Sequence, residues 1–336
     1  MESTLTYTRR HFGKLALTSL PVAAAAVAYP SSLFAQGKVM STFGGVKLGC
    51  ITAYSYHGMP ETAADILKYL VRDGIAFTEM ERTQENFAGA PPPPPRPANF
   101  APLAPGQERP KPTPEAMAAQ KKYRDDLLAW RISTPMDKFV ELRKMYNNAG
   151  VQIYGFKVQL DNTMPDAAFD YAFNGAKACG ANQVTMEMPE DGAMTKRMGD
   201  FATKHKIWVG YHAHLQAAPT TWDDAMSQSA YNGINLDIGH FIAAGNSPDD
   251  LLAFIKKNHA RITSMHVKDR KSKANGGMNQ PWGMGDTPIK DVLLLMKKEQ
   301  YKFPATIELE YQPPAGSDSE KEIVKSVAYA KQVLTA

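Results

Sequence analysis

The sequence predicts one α/β domain, a closed (β/α)8 TIM barrel, over residues 46–336. Three observations carry this. From Val46 onward, short apolar runs alternate with segments of helical periodicity, and no two consecutive runs read as a hairpin. That is the pattern of a parallel sheet. Eight such units fall within about 265 residues, the size of a closed barrel. Four of the runs also end in residues of metal-ligand type: WVGYHAH (208–214), INLDIGH (234–240), ITSMHVKD (262–269) and ATIELEY (305–311). An open dinucleotide-binding sheet fits less well, because no Gly-x-Gly-x-x-Gly follows the first strand.

The elements follow in order. VKLGCITAY (46–54) reads as the first strand and PETAADILKYLVRDG (60–74) as a helix. In that helix Ala64, Leu67, Leu70 and Val71 keep helical spacing, and Gly74 stops it. IAFTEME (75–81) is the second strand. An insertion over 88–132 then breaks the rhythm. Its proline run is extended and lacks internal hydrogen bonds, and a helix follows at 114–132. It is read as a solvated surface insertion or as a lid or protomer contact anchored by Phe100 and Trp130. A helix over 136–150 precedes the third strand, VQIYGFKV (151–158). A helix over 166–181, a fourth strand NQVTMEM (182–188) and a helix over 194–206 lead to the four ligand-bearing strands.

The chain has 336 residues, 43% of them hydrophobic and 21% charged, which suits a globular core and excludes a disordered or fibrous class. A formal net charge of +4 is too weak to argue for nucleic acid. The two cysteines, Cys50 and Cys179, have small or apolar neighbours and form no Cys-x-x-Cys. Two buried thiols are expected rather than a bridge or a thiolate metal site.

Residues 1–35 read as an address. TRRHFGK (8–14) precedes an alanine-rich stretch, and Arg9, Arg10, Phe12 and Lys14 resemble the twin-arginine (Tat) export signal. Ala35 suits the residue before a cut. An uncleaved anchor is the lesser alternative, because the apolar stretch is short and broken by Pro21. The expected location is periplasmic or secreted, with the Tat machinery as partner. That route carries folded proteins, which suits an enzyme loading its metal inside the cell.

A polar residue ending a strand points beyond the strand ends rather than into the core. His212, Asp237, His266 and Glu308 are 25, 29 and 42 residues apart, each near the roughly 30 residues of one strand plus one helix. They are therefore expected together as ligands of one divalent ion. Nitrogen and oxygen donors without thiolate suit Mn2+, Mg2+, Co2+ or Zn2+. In YHAH, His212 and His214 share a face, so either can be the fourth ligand while the other meets substrate. Glu187, ending the fourth strand, is a ligand, a base or a plain surface carboxylate. Lys268 shares the face of His266 and is placed either to stabilise an oxyanion or to pair with Asp269 or Asp291. His240, Tyr56, His57 and Trp282 are candidate substrate contacts, with Tyr54 beside them. Glu79, Glu81 and Arg82 end the second strand near the same pocket.

From LDIGH, HVKD and GMGDTPIKDVLLLMK leading to IELEY, the chain resembles the sugar phosphate isomerase/epimerase family of xylose isomerase-like barrels. The resemblance covers residues from Val46 onward and is strongest after His212. It implies that Asp237, His266 and Glu308 ligate one divalent metal and that His240 contacts substrate. The family's fifth-strand glutamate is His212 here, so its usual pair of bases is incomplete. Related dehydratases and keto-glycoside lyases carry histidine-rich fifth strands. The proline-rich insertion is not part of the common pattern.

The expected function is proton abstraction next to the carbonyl of a sugar or keto-sugar, with Glu308, His214 or Glu187 as base, giving isomerisation or epimerisation. The alternative is β-elimination at the same metal by a keto-glycoside lyase or dehydratase. Export favours an unphosphorylated substrate. A non-catalytic sugar-binding barrel is a third possibility. A nuclease would need more metals, more ligands and more positive charge. No nucleic-acid partner is expected, and a homo-oligomer is compatible.

Overall fold

A computed structural model describes residues 39–94 and 112–336. The proposed export signal, Phe100 and residues 95–111 of the proline-rich insertion lie outside the described residues. Eight parallel strands close a barrel: β1 (Val46–Thr52), β2 (Phe77–Glu81), β3 (Gln152–Lys157), β4 (Gln183–Glu187), β5 (Trp208–His212), β6 (Asn232–Asp237), β7 (Ile262–Val267) and β8 (Ala305–Ile307). Each pairs with its sequence neighbours, and β8 pairs with β1 to complete the ring. A two-residue strand, Thr42–Phe43, adds antiparallel to β1.

The main helices on the outside are α1 (Ala63–Arg72), α4 (Asp137–Asn148), α5 (Asp166–Cys179), α6 (Gly192–His205), α9 (Pro248–Asn258), α10 (Ile289–Glu299) and α11 (Ser319–Thr335). Short helices α2 (Thr83–Phe87), α7 (Asp223–Gln228) and α8 (Ile238–Ala243) sit in the connections. Local chemistry starts and stops them. Thr62 caps α1, Ser247 and Asp250 form a capping box on α9, and Gly180 takes φ +78° to end α5. Leu48, Val184, Val209, Leu236 and Ile307 are fully buried strand residues of one continuous apolar core. Cys50 and Cys179 are free and buried, as expected, and burial pushes both thiols up.

The insertion helix α3 (Pro114–Ser133) lies close to its sequence boundaries. Most of it is exposed; its C-terminal end is the anchored part. Trp130 packs on Phe139 and Tyr171, and Arg131 makes a paired contact with Glu85 at 2.7 and 2.9 Å. The Tyr171 hydroxyl donates to the same carboxylate at 2.9 Å.

Two expectations change. β1 ends at Thr52 rather than at 54, and a 3-10 turn over Tyr54–Tyr56 follows. The turn breaks the strand's alternation. Tyr56 is thereby directed into the core, where its hydroxyl donates to Asp73 at 2.7 Å, so it is not a substrate contact. Trp282 is half-buried, and its ring meets Tyr329 of α11 edge-on at 5.9 Å.

The barrel interior below the strand ends is polar. Glu79 of β2 is fully buried and accepts from Thr185 at 2.6 Å and from Asn235 at 3.2 Å. Gly155 on the neighbouring strand makes the room, since a Cβ there would lie 2.9 Å from Glu79 Cγ. Most barrels fill this space with branched aliphatic residues.

Candidate active site

The C-terminal ends of β5 to β8 bring His212, Asp237, His266 and Glu308 together. One ligand atom from each lies within 4.8 Å of the others, and all four residues are buried. Asp237 shows how the sequence builds this. It is both the last residue of β6 and the N-cap of α8, and its Oδ1 accepts from the His240 amide at 2.7 Å. Its Oδ2 faces the site, 3.9 Å from His212 Nε2. His266 lies between two carboxylates, with Nδ1 at 3.1 Å from Glu308 and Nε2 at 2.9 Å from Glu79.

Lys268 lies at the centre of the acidic groups. Its ammonium donates to Glu308 at 2.9 Å and meets Asp237 at 2.8 Å and Glu310 at 2.7 Å. It does not pair with Asp269, as one sequence-based alternative had it. Successive side chains of a strand face opposite ways, and Asp269 instead accepts from the amides of Gly283, Gly285 and Thr287. His240 is next to Lys268, with Nε2 at 2.8 Å from the ammonium and Nδ1 at 2.6 Å from Arg270. His214 stands at the rim, half exposed, with Nε2 at 3.2 Å from Glu187. Glu187 also holds Lys157 at 3.0 Å, so it is not a free surface carboxylate. His57 lines an adjoining cavity.

Burial and neighbours set the charges. Burial, then the cations His266 and Lys157, holds His212 well below the usual histidine range. Burial and Lys268 push His240 down to about 2. Burial opposes charge on His266, but Glu308 and Glu79 outweigh it and lift His266 to about 10. Burial alone would raise Glu308, yet Lys268 and His266 hold it well below the carboxylate range. Burial raises Asp237 to about 7 against the opposing pull of Lys268.

The residues fit a divalent ion. Two imidazoles and two carboxylates make a nitrogen–oxygen donor set. His212 Nδ1 is buried without a hydrogen-bond partner among the described residues, while Asp237 Oδ2 meets the Lys268 ammonium. An atom like His212 Nδ1 is rare in folded proteins and calls for a partner. Glu79, on the far side of His266, matches the carboxylate that commonly orients a ligating histidine.

Glu310, Arg270 and Asn235 were not identified as site residues from sequence. The first two carried a signal. Glu308 and Glu310 are two apart in IELEY, and His266, Lys268 and Arg270 alternate in HVKDR, so each set shares a face. Asn235 carried none, because its partner Glu79 lies 156 residues away.

Residues 193–333 match the family model described as xylose isomerase-like TIM barrel. Three solved structures align over most of the chain. A sugar phosphate isomerase/epimerase from Parabacteroides distasonis is 17% identical, covers 89% of this chain and 99% of its own, and has a TM-score of 0.53. The IolI protein with a binding zinc atom is 12% identical over 86% of this chain and 99% of its own, with a TM-score of 0.57. A 3-keto-D-glucoside 4-epimerase from E. coli is 10% identical over 85% and 99%, with a TM-score of 0.53. No curated protein matches. At these identities the likeness is one of fold: a xylose isomerase-like barrel.

Proposed function

We propose that this protein is a divalent-metal-dependent enzyme that removes a proton next to the carbonyl of a sugar or keto-sugar and returns it elsewhere, as an isomerase or epimerase. The buried His212–Asp237–His266–Glu308 group with Lys268 at its side carries this reading. These four residues would hold the ion, which when bound polarises the carbonyl and makes the neighbouring C–H acidic.

The chain's own residues supply the rest. His214 is the accessible base, and Glu187 at 3.2 Å orients its ring. Glu308 is engaged by His266 and Lys268 and is less free to take a proton. The Lys268 ammonium stands where it can stabilise the oxygen that gains charge as the proton leaves. His240, with both ring nitrogens engaged, positions the Lys268 ammonium and Arg270. Elimination of a β-substituent, as in a keto-glycoside lyase or dehydratase, is favoured by one observation: the fifth strand offers His212 rather than a glutamate, so the accessible base is one-sided.

Incubation of the metal-loaded protein in D2O with free ketoses and 3-keto-glycosides tests this. Deuterium on carbon in a sugar that has lost no group supports the isomerase; release of an aglycone or an unsaturated sugar supports the lyase. Neither event with any keto-sugar would leave a sugar-binding barrel. We further infer that residues 1–35 direct Tat export to the periplasm or beyond, where phosphorylated sugars are scarce. Export unchanged by Lys at both Arg9 and Arg10 would overturn that.

A further inference from the structure

The barrel also opens at the N-terminal ends of its strands, the end opposite the histidine–carboxylate group. The cavity there measures about 740 Å3. Trp208 at the start of β5 and Lys47 near the start of β1 line it, with Lys256 and His259 from the end of α9 and residues 299–303 before β8. Buried Tyr154 lines its inner part. The Tyr154 hydroxyl donates to Glu79 at 3.4 Å, and Glu79 in turn meets His266 at 2.9 Å. A polar layer thus separates this space from the ligand group, and no residue of the proposed active site lines it.

Two kinds of reachable surface face the cavity. The first is aromatic. Phe303, Tyr301 and His259 form a stack with Tyr301 in the middle, at centroid distances of 5.4 and 5.0 Å and interplanar angles of 25° and 13°. Phe303 is buried and His259 is exposed, so the stack ends in an accessible imidazole. Trp208, half-buried, offers a further ring. The second surface is cationic. Lys47, Lys256 and Lys302 line the cavity, and none is paired with a carboxylate among the described residues. The lining includes one carboxylate, Glu299, and it already lies 3.9 Å from the Lys298 ammonium.

Unpaired cations around a cavity raise the local concentration of anions. Aromatic rings favour a flat apolar partner stacked or edge-on against them. One ligand that answers both has a ring to extend the stack and an anionic group for the lysines. We propose that this mouth of the barrel is a binding site for a planar organic anion, an aromatic ring bearing a carboxylate, sulfonate or phosphate, separate from the active site. The site does not depend on which reaction the metal group performs.

Calorimetric titration of the metal-loaded protein with naphthalene-2-sulfonate, 2-naphthol and sulfate tests it. The sulfonate carries ring and charge, naphthol the ring alone and sulfate the charge alone. The sulfonate is expected to bind at least about tenfold tighter than either, the worth of two solvent-accessible charge contacts or of one stacked ring. Lys256→Gln combined with Lys302→Gln should weaken the sulfonate about tenfold and leave naphthol unchanged. His259→Ala should weaken sulfonate and naphthol alike, by roughly threefold. All three side chains are exposed, so the variants should keep the parent's melting temperature and metal content. Absence of sulfonate binding, equal binding of the sulfonate and naphthol, or equal binding of the sulfonate and sulfate would overturn the site. Sulfonate binding indifferent to the lysine pair and to His259→Ala would overturn it as well, since the anion would then sit elsewhere.

Discussion

Asp237 divides its two oxygens between structure and chemistry, and the two can be separated. Oδ1 caps α8 while Oδ2 faces the ligand group. Asp237→Asn keeps a capping oxygen and should lose metal with little change in thermal stability. Asp237→Ala should lose metal and also about 1 kcal/mol of stability. Metal content by elemental analysis and melting temperature check both, and full occupancy in either variant would refute the site. Glu79→Gln should weaken metal binding about 10- to 100-fold, the usual effect of disturbing a ligand's outer partner, read by competition with a chelator. His214→Ala should retain metal yet lower turnover about 10²- to 10⁴-fold if it is the base. Among residues, the clustering of His212, Asp237, His266 and Glu308 was legible because each ends a strand in one of four similar units. Glu79 was visible as a carboxylate near the strand end but not as the partner of His266, 187 positions away.

Elements were legible where periodicity persists and obscure where it changes. Helices α1, α4, α5 and α6 fell close to their expected spans because Gly and cap residues mark their ends. The end of β1 did not, because a 3-10 turn replaces the two-residue period just where the aromatic residues begin. This is why Tyr54 and not Tyr56 reaches the cavity that His57 lines. Tyr56 instead ties the turn to the end of α1 through Asp73. Burial raises Asp73 to about 7 from an ordinary 3.8. The folded form therefore prefers the protonated acid; its contribution is full below the ordinary value and is lost as pH rises through about 7. Asp73→Asn should gain stability relative to the parent between pH 5 and pH 8, a difference that thermal melts across that range would show. The anchor of α3 is the other element-scale test. Arg131→Ala leaves Glu85 buried without its cation and should cost about 3–5 kcal/mol. Chemical denaturation would reveal it, with early cleavage near α3 under limited proteolysis.

At the scale of the whole molecule, alternating units disclosed the barrel, and their even spacing disclosed the end at which the site forms. The polar interior was hidden. Glu79, Thr185, Asn235 and His266 come from β2, β4, β6 and β7, and no local pattern links them. These groups find one another only when the last strand closes the ring. A half-assembled barrel would hold a carboxylate in a dry space with its partners still missing, which is costly. Intermediates should therefore be sparse. Denaturation followed by tryptophan fluorescence and by circular dichroism should give superimposable curves. The same feature bears on inheritance: an exchange of half-barrels with a relative would transplant one side of this knot without the other, so its members are expected to change together or not at all.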